Sequence, residues 1–125
     1  MRKSTIAVIV VIIVIVLSLG IYFALFSTPP SSTKLDSFAQ CISEKGATMY
    51  GAYWCTHCQA EKKLFGSSFQ YVNYVECDPN GENAQPQLCQ KAGIDGYPTW
   101  VINGTKYEDE QSFQQLARAT GCPAP

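Results

Sequence analysis

Apolar positions in this chain change their spacing several times, and each change marks an element. Residues 6–26, IAVIVVIIVIVLSLGIYFALF, are apolar at almost every position and carry no charge. A stretch with no polar side predicts a helix that is apolar all round. Leu35, Phe38, Cys41 and Ile42 then recur at helical spacing, with Ser32 or Thr33 as the cap and Gly46 as the stop. Residues 48–54 form a nearly unbroken apolar and aromatic run, the pattern of a strand buried on both faces. From Thr56 to Phe65 the spacing is helical again, with Ala60 and Leu64 on one face and Gly66 after the end. Residues 71–77, YVNYVEC, read as a second strand closed by the turn residues Asp78, Pro79, Asn80 and Gly81.

Asn83 is the expected cap of a helix with Pro86 in its first turn, packing Leu88, Cys89 and Ala92 and ending at Gly93. The stretch TWVINGTKYE is a hairpin turning on Asn103-Gly104. Asn103-Gly104-Thr105 also fits a glycosylation acceptor, but the turn accounts for it. Asp109 caps a last helix whose stripe is Phe113, Leu116, Ala117 and Thr120, with Gly121 past its end. Helix, β, α, β, α, β, β, α in that order makes an α/β domain: one mixed sheet, two parallel βα units and a hairpin, with helices on both faces.

The apolar run decides the domain organisation. Its roughly 21 residues, at about 1.5 Å each, span about 30 Å, the thickness of a bilayer core. A cleaved secretion signal has a shorter apolar region and small residues at its cleavage site; FALFSTPP has no such pattern, so an uncleaved anchor is the expectation. Arg2 and Lys3 lie on the short side, which keeps that end cytoplasmic and sends the rest across. Residues 1–26 are thus read as cytoplasmic end and transmembrane anchor, 27–34 as a Pro/Ser linker, and 35–125 as the extracytoplasmic domain. Beyond the anchor seven basic residues face ten acidic ones, about −3, which gives no reason to expect nucleic acid binding.

All six cysteines lie beyond the anchor, and an even number in a small exported domain favours disulfides. Cys55 and Cys58 stand apart from the others. They follow a strand and open a helix, where unpaired N–H groups and the helix dipole stabilise a thiolate. Cys55, the outer of the two, is the expected nucleophile, with Cys58 resolving the mixed disulfide. His57 between them adds positive charge next to Cys55 and predicts a more oxidising couple; the plainer reading is an exposed helix residue without a role. Half a zinc site is the rival reading of CxxC, but no second pair follows at ligand spacing, and no metal is expected. A structural bridge across so short a loop removes little unfolded-state entropy.

Taken together, these residues suggest a family. The region from about Gly46 to Ala117 resembles the thioredoxin superfamily, with Trp54-Cys55-Thr56-His57-Cys58 as the active-site turn and Gly96-Tyr97-Pro98-Thr99 as the proline loop. More narrowly, MYGAYWCTHCQAEKKLFG, YVECDPNGENAQPQLCQKAGIDGYPTW and VING resemble the thioredoxin-like domain fused to bacterial vitamin K epoxide reductase homologues. The resemblance implies a thioredoxin-like fold and a cis Pro98 facing the cysteines. It also implies a substrate-binding wall, to which Trp54, Tyr97, Pro98 and Thr99 are assigned. The sequence by itself leaves Pro98 trans. In that family the domain passes electrons from substrate thiols to a quinone-reducing membrane domain. Here Thr56 replaces the usual proline, and a single helix replaces that membrane domain.

The resulting expectation is a membrane-anchored thiol–disulfide oxidoreductase without a cofactor beyond a redox-active Cys55–Cys58 disulfide. Its partners would be exported cysteine-containing proteins and a separate quinone-linked membrane protein. Alternatives are a reductase or isomerase fed by a transmembrane electron donor, and a redox-inert binding module. Of the remaining cysteines, Cys77 and Cys89 can meet in this fold, closing a loop worth about 3 kcal/mol. Cys41 and Cys122 would then join the two ends of the domain. The open alternatives are buried free thiols, or a pair that relays electrons.

Overall fold

The structure, a computed structural model, describes residues 2–26 and 33–125. The chain divides into two units, residues 1–31 and 32–125. The first is helix α1, Arg2–Phe26. Within it Arg2–Phe23 is long and apolar enough to cross a membrane, a test that a secretion signal also passes. Residues 27–32 of the expected linker, with the candidate cap Ser32, lie outside the described residues. The last two expected linker residues, Thr33 and Lys34, belong to helix α2, Thr33–Glu44.

The second unit is built on four strands: β1 Thr48–Gly51, β2 Asn73–Glu76, β3 Thr99–Ile102 and β4 Thr105–Glu108. Their order across the sheet is β2-β1-β3-β4. β1 runs parallel to β2, with Gly51 opposite Glu76, and antiparallel to β3, with Tyr50 opposite Thr99. β3 returns as β4 through Asn103 and Gly104, both at positive φ (50° and 79°), as a tight two-residue hairpin requires.

Consecutive strand residues point to opposite faces, so β1 shows how the layers divide. Met49 joins a large cluster with Phe38 and Ile42 of α2, Phe65 of α3 (Thr56–Phe65), Trp100, and Leu116 of α5 (Phe113–Thr120). Tyr50 joins a small one with Val75, Cys77 and Cys89, the last on α4, Pro86–Ala92. Helices α2, α3 and α5 therefore cover one face and α4 the other. Two disulfides fasten this arrangement: Cys41 on α2 to Cys122 just past α5, and Cys77 after β2 to Cys89 on α4. With 81 residues of sequence separation, the first limits the unfolded chain by about 4.5 kcal/mol in loop-entropy terms.

Several boundaries differ from the sequence reading. β1 stops at Gly51, because a turn returns the Cys55 N–H to the Ala52 carbonyl (3.0 Å) and leaves Tyr53 and Trp54 half exposed. A 3-10 turn, Gly66–Tyr71, takes the start of the expected second strand. Asn83 sits at φ 51° and does not cap α4, whose N-cap is Gln85, and Leu88 faces solvent. Asp109 turns the chain at φ 64°, and α5 is capped instead by Ser112, which exchanges hydrogen bonds with Gln115 in a capping box.

The largest difference lies in α3. Ala60 and Leu64 are exposed, and the buried stripe is Cys58, Glu61 and Phe65. Glu61 is fully buried because its Oε1 accepts the Trp100 indole N–H (2.7 Å) and the Gln111 backbone N–H (3.0 Å). Its Oε2 has no hydrogen-bond partner among the described residues. Burial, the largest cause, raises the Glu61 pKa from 4.5 to about 7, with the nearby charge of Glu110 adding to it and the two N–H donors opposing.

A raised folded value means that the folded chain holds this proton more tightly than the unfolded chain. Stability from this source is complete below about pH 4.5 and is lost as pH rises to about 7. Glu61→Gln removes that loss. Comparing urea midpoints of the full chain in detergent micelles at pH 4.5 and 7.5, the variant should gain on the wild type by on the order of 2–3 kcal/mol at the higher pH. An equal offset at both pH values would contradict it.

Candidate functional site

Cys55 occupies the N-cap of α3, with extended backbone (φ −72°, ψ 115°), and its sulfur accepts the Cys58 backbone N–H at 3.2 Å. A cap position normally goes to an oxygen-bearing side chain that satisfies one of the helix's free N–H groups. Here a sulfur does so, and negative charge arriving on it meets the positive end of the helix. Cys55 and Cys58 are the two free thiols of the chain. Cys55 retains 6% exposure and Cys58 none. Burial, followed by the hydrogen bond with Cys55, pushes the Cys58 thiol up to about 12, against a backbone hydrogen bond to Ala52 that lowers it. The two sulfurs are thus unequal: one at a helix terminus beside the groove with a little exposure, one fully enclosed in the core.

Gly51 gives the inner sulfur its space. A Cβ there would lie 3.0 Å from Cys58 Sγ, and 3.1 and 3.2 Å from the ring and hydroxyl of Tyr74, closer than side chains pack. Tyr74 donates its hydroxyl to Glu76 Oε2 (2.7 Å), and Lys62 Nζ sits 3.6 Å from the centre of its ring. Glu76, itself buried, accepts through Oε1 from the backbone N–H groups of Tyr53 (3.2 Å) and Asp78 (3.1 Å). Burial and the bond to Glu76 raise the Tyr74 pKa; burial lowers that of Lys62, opposed by the charge of Glu76. Sequence reasoning missed this group. Its one signal was a carboxylate at the end of an otherwise apolar strand pattern.

Around Cys55 opens a groove of about 570 Å³, lined by Trp54, Cys55, Thr56, His57, Asp95, Gly96 and Tyr97. Trp54 is fixed on one side by its indole N–H to Asp78 Oδ2 (2.8 Å) and on the other by an edge-on contact with Tyr97 (6.1 Å). The Asn80 backbone N–H and then the Trp54 indole hold the Asp78 carboxyl below its ordinary range. The Tyr97-Pro98 peptide is cis, and Pro98 and Thr99 line a smaller, more enclosed cavity of about 160 Å³ that shares Asp95, Gly96 and Tyr97 with the groove. Thr99 is buried with its hydroxyl donated to the Gly96 carbonyl (2.8 Å), which holds the proline loop.

His57 is exposed, and its Nδ1 lies 2.7 Å from Glu110 Oε1, so a carboxylate offsets any positive charge it carries. The remaining four cysteines, Cys41, Cys77, Cys89 and Cys122, are all in disulfides. Among the described residues, no three His, Cys, Asp or Glu side chains are grouped to hold a metal ion.

Strand order, the parallel β1–β2 pair, the antiparallel hairpin and a cis proline leading into β3 together define the architecture. Residues 33–125 have a thioredoxin-like fold. No protein-family model matches the chain. It is 38% identical over 104 residues to the thiol-disulfide oxidoreductase LTO1 of Arabidopsis thaliana, covering 80% of this chain and 28% of that protein. It is 33% identical over 89 residues to protein disulfide isomerase-like 2-2 of Oryza sativa subsp. japonica, covering 59% of this chain and 23% of that one. The chain thus spans about a quarter of the length of these relatives. Among solved structures, a buckwheat glutaredoxin–glutathione complex aligns with 76% of the chain at 20% identity and a TM-score of 0.37.

The inequality of the two sulfurs gives a direct test on the reduced full chain. At pH 8 iodoacetamide should modify Cys55 and leave Cys58 untouched until the fold is lost. Peptide mass spectrometry reads the outcome, and equal modification of both would contradict this assignment.

Proposed function

We propose that this chain is a membrane-anchored thiol–disulfide oxidoreductase that exchanges its Cys55–Cys58 disulfide with cysteines of exported proteins. The observation that carries the proposal is the pairing of an N-cap sulfur at the groove with a buried, proton-holding second sulfur one helical turn away. Two further disulfides already formed in the same domain fit an oxidising compartment. Similarity to a thiol-disulfide oxidoreductase and to a protein disulfide isomerase-like protein supports exchange chemistry of this kind.

In the oxidising direction a substrate thiolate attacks Cys55 Sγ. The Cys55–Cys58 bond breaks, and Cys58 leaves and takes up a proton. A second substrate thiolate then displaces Cys55 from the mixed disulfide. The substrate gains a disulfide and the protein holds two thiols, having accepted two electrons. Trp54 and Tyr97 flank the incoming chain, and the proline loop from Gly96 to Thr99 lies along it. The apolar helix α1 anchors the chain, with Arg2 and Lys3 on the cytoplasmic side and the cysteines on the other. A separate membrane protein of the vitamin K epoxide reductase type, linked to quinone, restores the disulfide.

Cys58→Ser should trap mixed disulfides with substrates and with the reoxidant, recoverable on non-reducing gels, and Cys55→Ser should trap none. The couple should have a potential nearer −120 mV than −270 mV; a value at the lower end would assign the opposite direction, reduction of exported disulfides.

A further inference from the structure

Glu61 is not used in the exchange steps, yet it is the most conspicuous polar group in the core. It is fully buried, one turn beyond Cys58 on α3, and one of its oxygens has no partner among the described residues. Its other oxygen does two things at once. It takes the indole N–H of Trp100 from β3, and it takes the backbone N–H of Gln111 from the segment leading into α5. Gln111 is itself buried, and its side-chain amide donates to the carbonyls of Glu108 (2.9 Å) and Asp109 (3.2 Å). Glu110, the residue between these contacts, presents its carboxylate to His57 Nδ1 at 2.7 Å. His57 lies two residues after Cys55 and lines the same groove.

We propose that Glu61 is a positioning residue: by holding the Gln111 amide it seats Glu110 on His57, and so orients the imidazole beside the Cys55 sulfur. When Glu61 is ionised, its charge strengthens both hydrogen bonds and fastens residues 108–111 to α3. When it is protonated, the bonds weaken and a buried O–H is left without an acceptor, so the segment and the His57 contact loosen. Glu110 is the charged group that bears on it, and it raises the pKa of Glu61. The coupling is reciprocal, because anything that neutralises Glu110, such as a protonated His57, favours the ionised Glu61. The consequence for chemistry rests on the proposed function; the linkage among Glu61, Gln111, Glu110 and His57 does not.

The test uses the reduced full chain in detergent micelles, with glutathione disulfide as the probe, which takes two electrons and two protons from Cys55 and Cys58 to give two glutathione thiols. In the wild type, the Trp100 indole and the Gln111 and Glu110 backbone amides should share one inflection near pH 7. Glu61→Gln should abolish that inflection at all three. It should slow the reaction about threefold to tenfold at pH 8, and match the wild type at pH 5.5, where Glu61 is itself neutral.

Glu110→Gln is the second variant, and it decides the matter if Glu61→Gln does not fold. It should keep the inflection, moved to lower pH, and show the same slowing. The proposal is overturned if the wild-type Glu110 amide lacks the shared inflection. It is equally overturned if either variant reacts as fast as the wild type at pH 8, or if Glu61→Gln is slowed by the same factor at every pH. Should Cys55→Ser react as fast as the wild type, the exchange function falls, while the shared inflection stands or fails separately.

Discussion

The surroundings of the cysteine pair depend on the carboxylate of Glu76. It ends β2 opposite Gly51, at the edge where the two parallel strands give way to loops. Burying a carboxylate is costly unless donors replace its water, and here they come from both loops: Tyr53 N–H from the loop after β1, Asp78 N–H from the loop after β2, and the Tyr74 hydroxyl. One charge thereby makes two loops a single body. A Cβ on Gly81 would meet the Glu76 side chain at 2.4 Å, so the third side of this cradle has to be bare backbone. Through Asp78 the constraint reaches Trp54, and through Tyr53 it reaches the turn that delivers Cys55 to the head of α3.

Against this background the two cysteines differ for reasons of position. Both are cysteine, three residues apart, yet one completes a helix terminus while the other fills space that Gly51 leaves empty. The helix that separates them supplies the N–H that the outer sulfur accepts and the burial that keeps the inner one protonated. Chemistry that needs one sulfur to attack and the other to wait is supported by backbone geometry before any neighbouring charge is considered.

Much of this was legible in the chain. Spacing of apolar residues located the helices and strands in their order, and the Asn103-Gly104 turn followed from its need for positive φ at both positions. What escaped was of two physical kinds: polar side chains that satisfy each other across distant parts of the chain, and local turns and caps that end an element where the apolar pattern runs on. Glu61 looks like a surface helix residue until Trp100 and Gln111 are seen to meet it. Tyr53 and Trp54 extend an apolar pattern, and only the turn at Ala52 expels them from the strand. At α5 the cap shifted from Asp109 to Ser112 because Gln115, three residues on, completes a reciprocal pair that Asp109 has no partner for. Local pattern gives the elements; pairing at long range decides which polar residues are taken inside.

The bond between Cys41 and Cys122 has a topological consequence. It turns the stretch between these residues into a closed covalent ring that contains every strand, Cys55, Cys58 and the proline loop. A single cut by a protease anywhere inside that ring opens it but releases no fragment, so both walls of the groove remain on one molecule. A domain nicked once in this ring would in this way persist as a two-chain protein held together by the bond.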